Sequence, residues 1–437
     1  MQNIVQIHAL FGWMRARWAC WLLAALLLSG GVGHAQTPTA AFQFSRAGRH
    51  QGRISFLAQR NLIVVTALLN GRGPYNFLLD TGVGTSLLTD PALSASLGLL
   101  RGSEYRLLGV GGTDSGLRAY ETTNVRVDMD GGVIAPGMTW LVLNSDVLDL
   151  SGYVGMPIHG IIGSDLFRSF VVTIRPDERQ LVLHDPTTYR APRSRRWARI
   201  PLVLDRDKAY LTAEVQQLPA VPGAAGLPLR LLLDTGAGHA LSLETTSDQR
   251  LRLPPQHLRT DLGRGLTGLI SGWLGRVAGV QLGCYHLPQV LTSFPDSSQV
   301  HDRLVGTERL RNGSVGYEVL KRFITVIDYP HCQLLLRSTP ALREPFEHDM
   351  CGLDLLATGP NYRRYLVQRV VPGSPAAAAG IAEGEELVSI NLLPINVFSL
   401  TDLSRMLHSQ DGRVLLLLLR RPDGELHTAN VRLRRQI

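Results

Sequence analysis

The tripeptide Asp-Thr-Gly occurs twice in the chain, at Asp80-Thr81-Gly82 and at Asp234-Thr235-Gly236. Each copy closes the same kind of apolar segment, Asn76-Phe77-Leu78-Leu79 before the first and Arg230-Leu231-Leu232-Leu233 before the second. A buried strand that ends in a carboxylate, a hydroxyl and a glycine delivers an acid to a cleft. One copy would be a turn signal and little more, because Asp and Gly are common turn residues. Two copies in matched contexts suggest two carboxylates brought face to face.

The match runs past the tripeptide. Gly109-Val110-Gly111 follows Asp80 at the interval at which Gly263-Arg264-Gly265 follows Asp234. Gly160-Ile161-Ile162-Gly163 with Phe170 is answered by Gly313-Ser314-Val315-Gly316 with Phe323, and Gln180-Leu181-Val182-Leu183 by Gln333-Leu334-Leu335-Leu336. Landmarks in one order at nearly one spacing read as a duplicated domain. Within each half, short apolar or alternating runs such as Arg53 to Phe56, Asn61 to Leu68, Ile200 to Leu204 and Ala209 to Val215 are punctuated by turn residues, which predicts strands. Long helical periodicity is absent, and one short helix is expected after Gly163 and one after Gly316.

Residues 53 to about 338 resemble the pepsin and retropepsin superfamily of aspartic peptidases, through the paired Asp-Thr-Gly loops, the glycine-rich segments and the apolar-apolar-Gly motifs that would buttress the active loops. The resemblance implies a mainly β fold of two pseudo-symmetric acid-protease lobes, 53–190 and 191–338, with an active-site cleft between them. It implies Asp80 and Asp234 as catalytic acids, with Thr81, Gly82, Thr235 and Gly236 supporting the active loops. Gly109, Gly111 and Gly112 would lie on one flap and Gly263 and Gly265 on another, the two-flap pattern of a fused retropepsin-like pair. Ser314 departs from the family in the second buttress, where an apolar residue is usual.

Such a constellation suits peptide hydrolysis. Two carboxylates about 3 Å apart cannot both ionise, so the pair keeps one proton. The ionised member takes a proton from a bridging water while the protonated member polarises the scissile carbonyl. The pair titrates as a unit. No cofactor is required. There is no His-Glu-x-x-His run and no Cys-x-x-Cys, so no metal site is expected. Gly263-Arg264-Gly265-Leu266-Thr267-Gly268 matches a dinucleotide fingerprint by letter, but no acid follows before Asp296 and further glycines argue against a helix. A hairpin over the cleft is the better reading.

Arg15 and Arg17, an apolar run from Trp18 to Leu28, and small residues up to Gly33-His34-Ala35 describe a secretory signal over residues 1–35, cleaved after Ala35. Residues 36–52 would be an N-terminal linker, and the mature chain an exported protein, periplasmic or secreted, without a membrane span. Cys284, Cys332 and Cys351 would remain, allowing one internal bridge, with Cys332 to Cys351 as a candidate. The net charge of +8 is carried almost wholly by scattered arginine, so nucleic acid is not an expected partner.

Beyond a connector at 339–350, the run Val371-Pro372-Gly373-Ser374-Pro375-Ala376 with Ala379-Gly380-Ile381 resembles a bacterial PDZ domain, spanning 351–437. Strands Tyr365 to Val371, Leu387 to Asn391 and Val414 to Arg420 and a helix Leu400 to Leu407 are expected, with Leu392 where a turn glycine is common. The resemblance implies Gly352, Leu353, Asp354 and Leu355 as a carboxylate-binding loop, with a peptide adding as a strand beside it. The leading expectation is an exported aspartic endopeptidase acting on peptides or proteins, with the PDZ domain capturing peptide or regulating. The alternative is a catalytically inactive peptide-binding protein with a degenerate cleft.

Overall fold

The computed structural model describes residues 41–107, 117–220, 225–265, 268–296 and 311–437. The expected signal segment lies outside the described residues, as do the first-half flap glycines Gly109, Gly111 and Gly112. Strands dominate, and alternation sets their faces. Gln51–Ser55 buries every second residue, whereas Leu62–Leu69 is apolar nearly throughout because both its faces are covered.

Two sheets share one strand order. In the first half it runs Leu62–Leu69, Arg72–Leu79, Gly160–Ile162, Leu87–Leu88, Val133–Leu143, Leu117–Met129, Glu104–Leu107. In the second it runs Lys208–Gln216, Leu227–Leu233, Gly313–Val315, Leu241–Leu243, Tyr285–Pro295, Gly268–Leu282, His257–Gly265. The strand that leads to each acid lies parallel to a buttress strand, Ile161 against Leu78 and Ser314 against Leu232. Glycine is required in both buttresses: a Cβ on Gly160 would meet the Leu87 carbonyl oxygen at 2.2 Å, and one on Gly313 the Ser242 carbonyl oxygen at 1.8 Å. The short helices expected after each buttress are Ser164–Ser169 and Tyr317–Leu320.

A third sheet joins the halves. Its centre pairs Val171–Arg175 with Phe323–Asp328, through Val172 opposite Ile327 and Ile174 opposite Thr325. Continuous apolar packing runs through both halves, from Phe77 and Trp140 in the first to Phe294 and Phe323 in the second.

Residues 340–346 follow as a pinned strap. Arg322, 1% exposed, donates to the carbonyls of Glu318, Ala341, Glu344 and Pro345, and its guanidinium carbon lies 3.6 Å from the Phe346 ring centroid. Beyond the strap, a separate core includes Leu353, Tyr365, Leu387, Leu403 and Leu417. The sheet order there is Leu353–Thr358, Arg364–Val370, Glu386–Ile390, Val414–Arg420, Leu426–Arg432. The helix Leu400–Leu407 starts at a Ser399–Asp402 capping box.

Two sequence expectations are corrected. The three cysteines among the described residues are free: Cys332 sits on an exposed hairpin turn while Cys351 is enclosed in the C-terminal core, so the two cannot bridge. Only Cys351 and Gly352 form a loop, since Leu353, Asp354 and Leu355 already belong to the edge strand. The turn where Leu392 replaces glycine is a two-residue hairpin with Asn391 at φ 48° and Leu392 at φ 68°. Leucine there carries left-handed strain of about 1–2 kcal/mol and is 82% exposed. Leu392→Gly is therefore expected to stabilise the chain by about 1 kcal/mol, read as a raised denaturant midpoint at unchanged slope. A lower midpoint would contradict the strain argument.

Candidate active site

The backbone ladder places both acids. Asp80 follows the strand Arg72–Leu79, and its amide donates to the Ile162 carbonyl at 3.0 Å. Asp234 follows Leu227–Leu233, and its amide donates to the Val315 carbonyl, also at 3.0 Å. Each buttress strand therefore stops its acid at the same height.

The two loops lock through their threonines. Thr81 Oγ1 donates to the Leu233 carbonyl at 2.6 Å and accepts from the Thr235 amide at 3.0 Å. Thr235 Oγ1 donates to the Leu79 carbonyl at 2.9 Å and accepts from the Thr81 amide at 3.1 Å. Both threonines have no exposure. Each hydroxyl satisfies two backbone groups of the opposing loop that would otherwise be buried unpaired.

The glycines make room for the carboxylates. A Cβ on Gly236 would stand 2.1 Å from Asp80 Cγ, and one on Gly82 would stand 3.2 Å from Asp234 Oδ1. Each acid thus packs over the other loop's glycine, and the Gly82 amide donates to Asp80 Oδ1 at 2.6 Å. Burial first, and the Asp234 charge second, push the Asp80 carboxyl up to about 8, while the Gly82 amide and the Lys208 charge pull the other way.

Both acids line one cavity of about 960 Å³. Leu78, Ile161, Leu232 and Ser314 line it from the sheets. The second-half hairpin, His257–Gly265 against Gly268–Leu282, contributes Leu262, Gly263, Gly265 and Ile270. Gly263 and Gly265 therefore stand at the cavity. From the C-terminal module, Gly352 and Asp354 reach the same cavity, whereas Leu353 and Leu355 turn into their own core.

Sequence reasoning missed a polar support under each loop. Asp165 accepts from the Ser86 amide at 2.9 Å and the Ser86 hydroxyl at 2.8 Å, and pairs with Arg168, which also pairs with Asp207. In the second half Glu318 accepts from Asn61 Nδ2 at 2.6 Å and pairs with Lys321 and Arg322. A signal was present: an acid two positions after each buttress glycine, Gly163 and Gly316, and a base three positions after that acid. His239 was also missed. Its Nε2 lies 3.0 Å from Ser314 Oγ, so the serine that departs from the apolar buttress pattern has a partner at the cavity wall.

The family model described as aspartyl protease matches residues 223–309, the stretch that holds Asp234 and the second-half hairpin. The model described as PDZ domain matches residues 366–421. The chain carries an aspartyl protease domain and a PDZ domain. Among solved structures it is similar to basic 7S globulin from soybean, at 9% identity and a TM-score of 0.37, over 68% of this chain and 97% of that one. No curated protein matches it significantly.

Thr81→Val removes one hydroxyl and leaves the Thr235 amide and the Leu233 carbonyl unpaired in the interior. The variant is expected to lose about 2 kcal/mol or more of folding stability, measured by denaturant unfolding. A loss under about 0.5 kcal/mol, the usual effect of a neutral surface change, would show that the interlock is not what holds the loops.

Proposed function

We propose that the chain is an exported aspartic endopeptidase that hydrolyses peptide bonds with a water activated between Asp80 and Asp234. The observation that carries this reading is the threonine interlock, which sets two acids over each other's glycines at one cavity. The pair keeps one proton. Its ionised member takes a proton from the bridging water, whose oxygen attacks the scissile carbonyl carbon. The protonated member donates to the carbonyl oxygen as charge develops there. The hairpin residues Leu262, Gly263, Gly265 and Ile270 supply a wall that excludes bulk water from the reacting peptide. The PDZ domain serves peptide capture or regulation. The matched order of the two sheets supports reading the halves as an internal duplication.

Asp80→Asn and Asp234→Asn, made separately, are each expected to reduce cleavage of a denatured protein substrate by at least a thousandfold, since each removes half of a unit that acts together. Activity remaining in either variant would overturn the assignment. In the unchanged enzyme kcat/KM is expected to fall as pH rises through about 8, where the pair loses its proton. The stability linkage has the same sign. The folded pair holds a proton that the unfolded chain has released above its ordinary value of 3.8, so this group's contribution declines as pH rises from about 4 to 8.

Export rests on the charged, apolar and small-residue pattern of residues 1–35. Intact mass of the protein recovered outside the cytoplasm is expected to correspond to a chain beginning at Gln36. Recovery of full-length protein in the cytoplasm would count against it.

A further inference from the structure

The C-terminal module has the parts of a peptide groove. The strand Leu353–Thr358 is the edge of its sheet, the helix Leu400–Leu407 packs into the same core, and the amides of Cys351, Gly352 and Leu353 converge at one end. Converging backbone amides of this kind capture a terminal carboxylate, and a free strand edge takes an extended chain.

In this chain both places are already filled. The Cys351 amide donates to Asp349 Oδ1 at 2.9 Å, and the Gly352 and Leu353 amides donate to Asp349 Oδ2 at 2.6 and 3.0 Å. Along the groove lies the short helix Leu150–Val154 of the first lobe. A Cβ on Gly155 would stand 2.9 Å from Leu400 Cβ and 3.7 Å from Ala357 Cβ, so Gly155 sits between the helix and the edge strand. A Cβ on Gly152 would stand 2.9 Å from Leu356 Cδ1. The Arg60 amide donates to Thr401 Oγ1 at 3.1 Å, and Thr401 Oγ1 donates to Gln59 Oε1 at 2.6 Å, which ties the start of the groove helix to the first lobe.

We propose that the groove is closed in cis: Asp349 and residues 150–155 stand where a peptide with a free C-terminal carboxylate would bind, and such a peptide opens the groove by taking their place. The exchange conserves the hydrogen bonds of the three amides, because one carboxylate replaces another on them. It is favoured by the main-chain hydrogen bonds that the incoming peptide adds along the strand edge. Burial, with the Asp354 charge adding to it, pushes the Asp349 carboxyl up to about 7 against the pull of the three amides. Its charge is thus held at a desolvation cost.

The same segment reaches the cleft. Leu148, Leu150 and Tyr153 line the cavity that holds Asp80, and Arg60 Nη1 donates to the Tyr153 carbonyl at 3.2 Å. On the other side Arg369 of the module pairs with Asp261 of the second-half hairpin. Displacing residues 150–155 therefore changes a wall of the cleft. That consequence for hydrolysis rests on the peptidase reading; the occupancy of the groove does not.

The test uses the full mature chain with Asp80→Asn, which keeps peptides intact. A fluorescent pentapeptide library with free carboxyl termini is compared with its C-terminally amidated counterpart. Adding Asp349→Ala is expected to raise affinity at least tenfold for the free-carboxylate library and to leave the amidated library unchanged. Excess free-carboxylate peptide is expected to speed amide hydrogen exchange across residues 148–155 in the protein that keeps Asp349. A folded Asp349→Ala protein that binds no more tightly, or binds both libraries alike, would overturn the proposal. Should that variant fail to fold, the exchange experiment decides alone: unchanged exchange under excess peptide overturns it, and faster exchange supports it. Neither readout measures hydrolysis, so an inactive dyad would leave both intact.

Discussion

The crossing of two backbone loops through Thr81 and Thr235 is the contact on which the rest of the molecule depends. Each hydroxyl spends its donor on a carbonyl of the opposite strand and its acceptor capacity on the opposite amide. In an interior without water, an amide or carbonyl left unpaired costs about 1–3 kcal/mol, so the four bonds support one another. The crossing explains why the same tripeptide is needed twice. A hydroxyl on one side alone would leave two groups of its own loop unsatisfied. It also explains the glycines, because loops held this close bring each carboxylate against the opposite third residue, where a Cβ would collide with Asp80 Cγ at 2.1 Å.

From that enforced approach the electrostatics follow. Burial and the facing charge of Asp234 both disfavour an anionic Asp80, and they outweigh the amide of Gly82 and the charge of Lys208. A pair of acids held together by a flexible backbone would relax by separating. Here the parallel buttress strands fix both chain ends, Ile162 and Val315 accepting from the acids' own amides. The raised Asp80 carboxyl is therefore a consequence of backbone register and not of side-chain choice alone.

The fold was legible wherever a residue type had to recur for a backbone reason. The paired Asp-Thr-Gly loops, the buttress glycines at 160 and 313, and the PDZ run around Pro372-Gly373 each mark a position where geometry permits few residues, and strand pairing follows from them. The helix expected over Leu400 to Leu407 has those bounds, and the Ser399 capping box sets its start. What stayed illegible depends on distant pairing. Ser314 looked like a defect in the second buttress until His239 came within 3.0 Å of it. The helix Leu150–Val154 is only five residues long, too short for periodicity to register, and it forms where the first lobe meets the module. Asp349 lies in a stretch whose charge and proline suggested a loose connector. Its role emerges only when three amides converge on it.

The strap that precedes Asp349 shows how the module and the lobes are coupled. Arg322 is enclosed, and its donors are spent on carbonyls of Glu318, Ala341, Glu344 and Pro345, with Phe346 stacked on the guanidinium. Arg276 of the second-half hairpin adds a bond to the Phe346 carbonyl at 2.7 Å. Pulling this strap away would strand a buried cation, a cost of several kcal/mol, so residues up to 346 belong mechanically to the second lobe. Asp349 stands three residues later, within one turn of chain from a fixed point. Its carboxylate is therefore presented to the Cys351, Gly352 and Leu353 amides at high effective concentration by the lobe that also carries Asp234. A carboxylate that competes for those amides must therefore outdo one tethered to the second lobe, and the threonine crossing takes no part in that exchange.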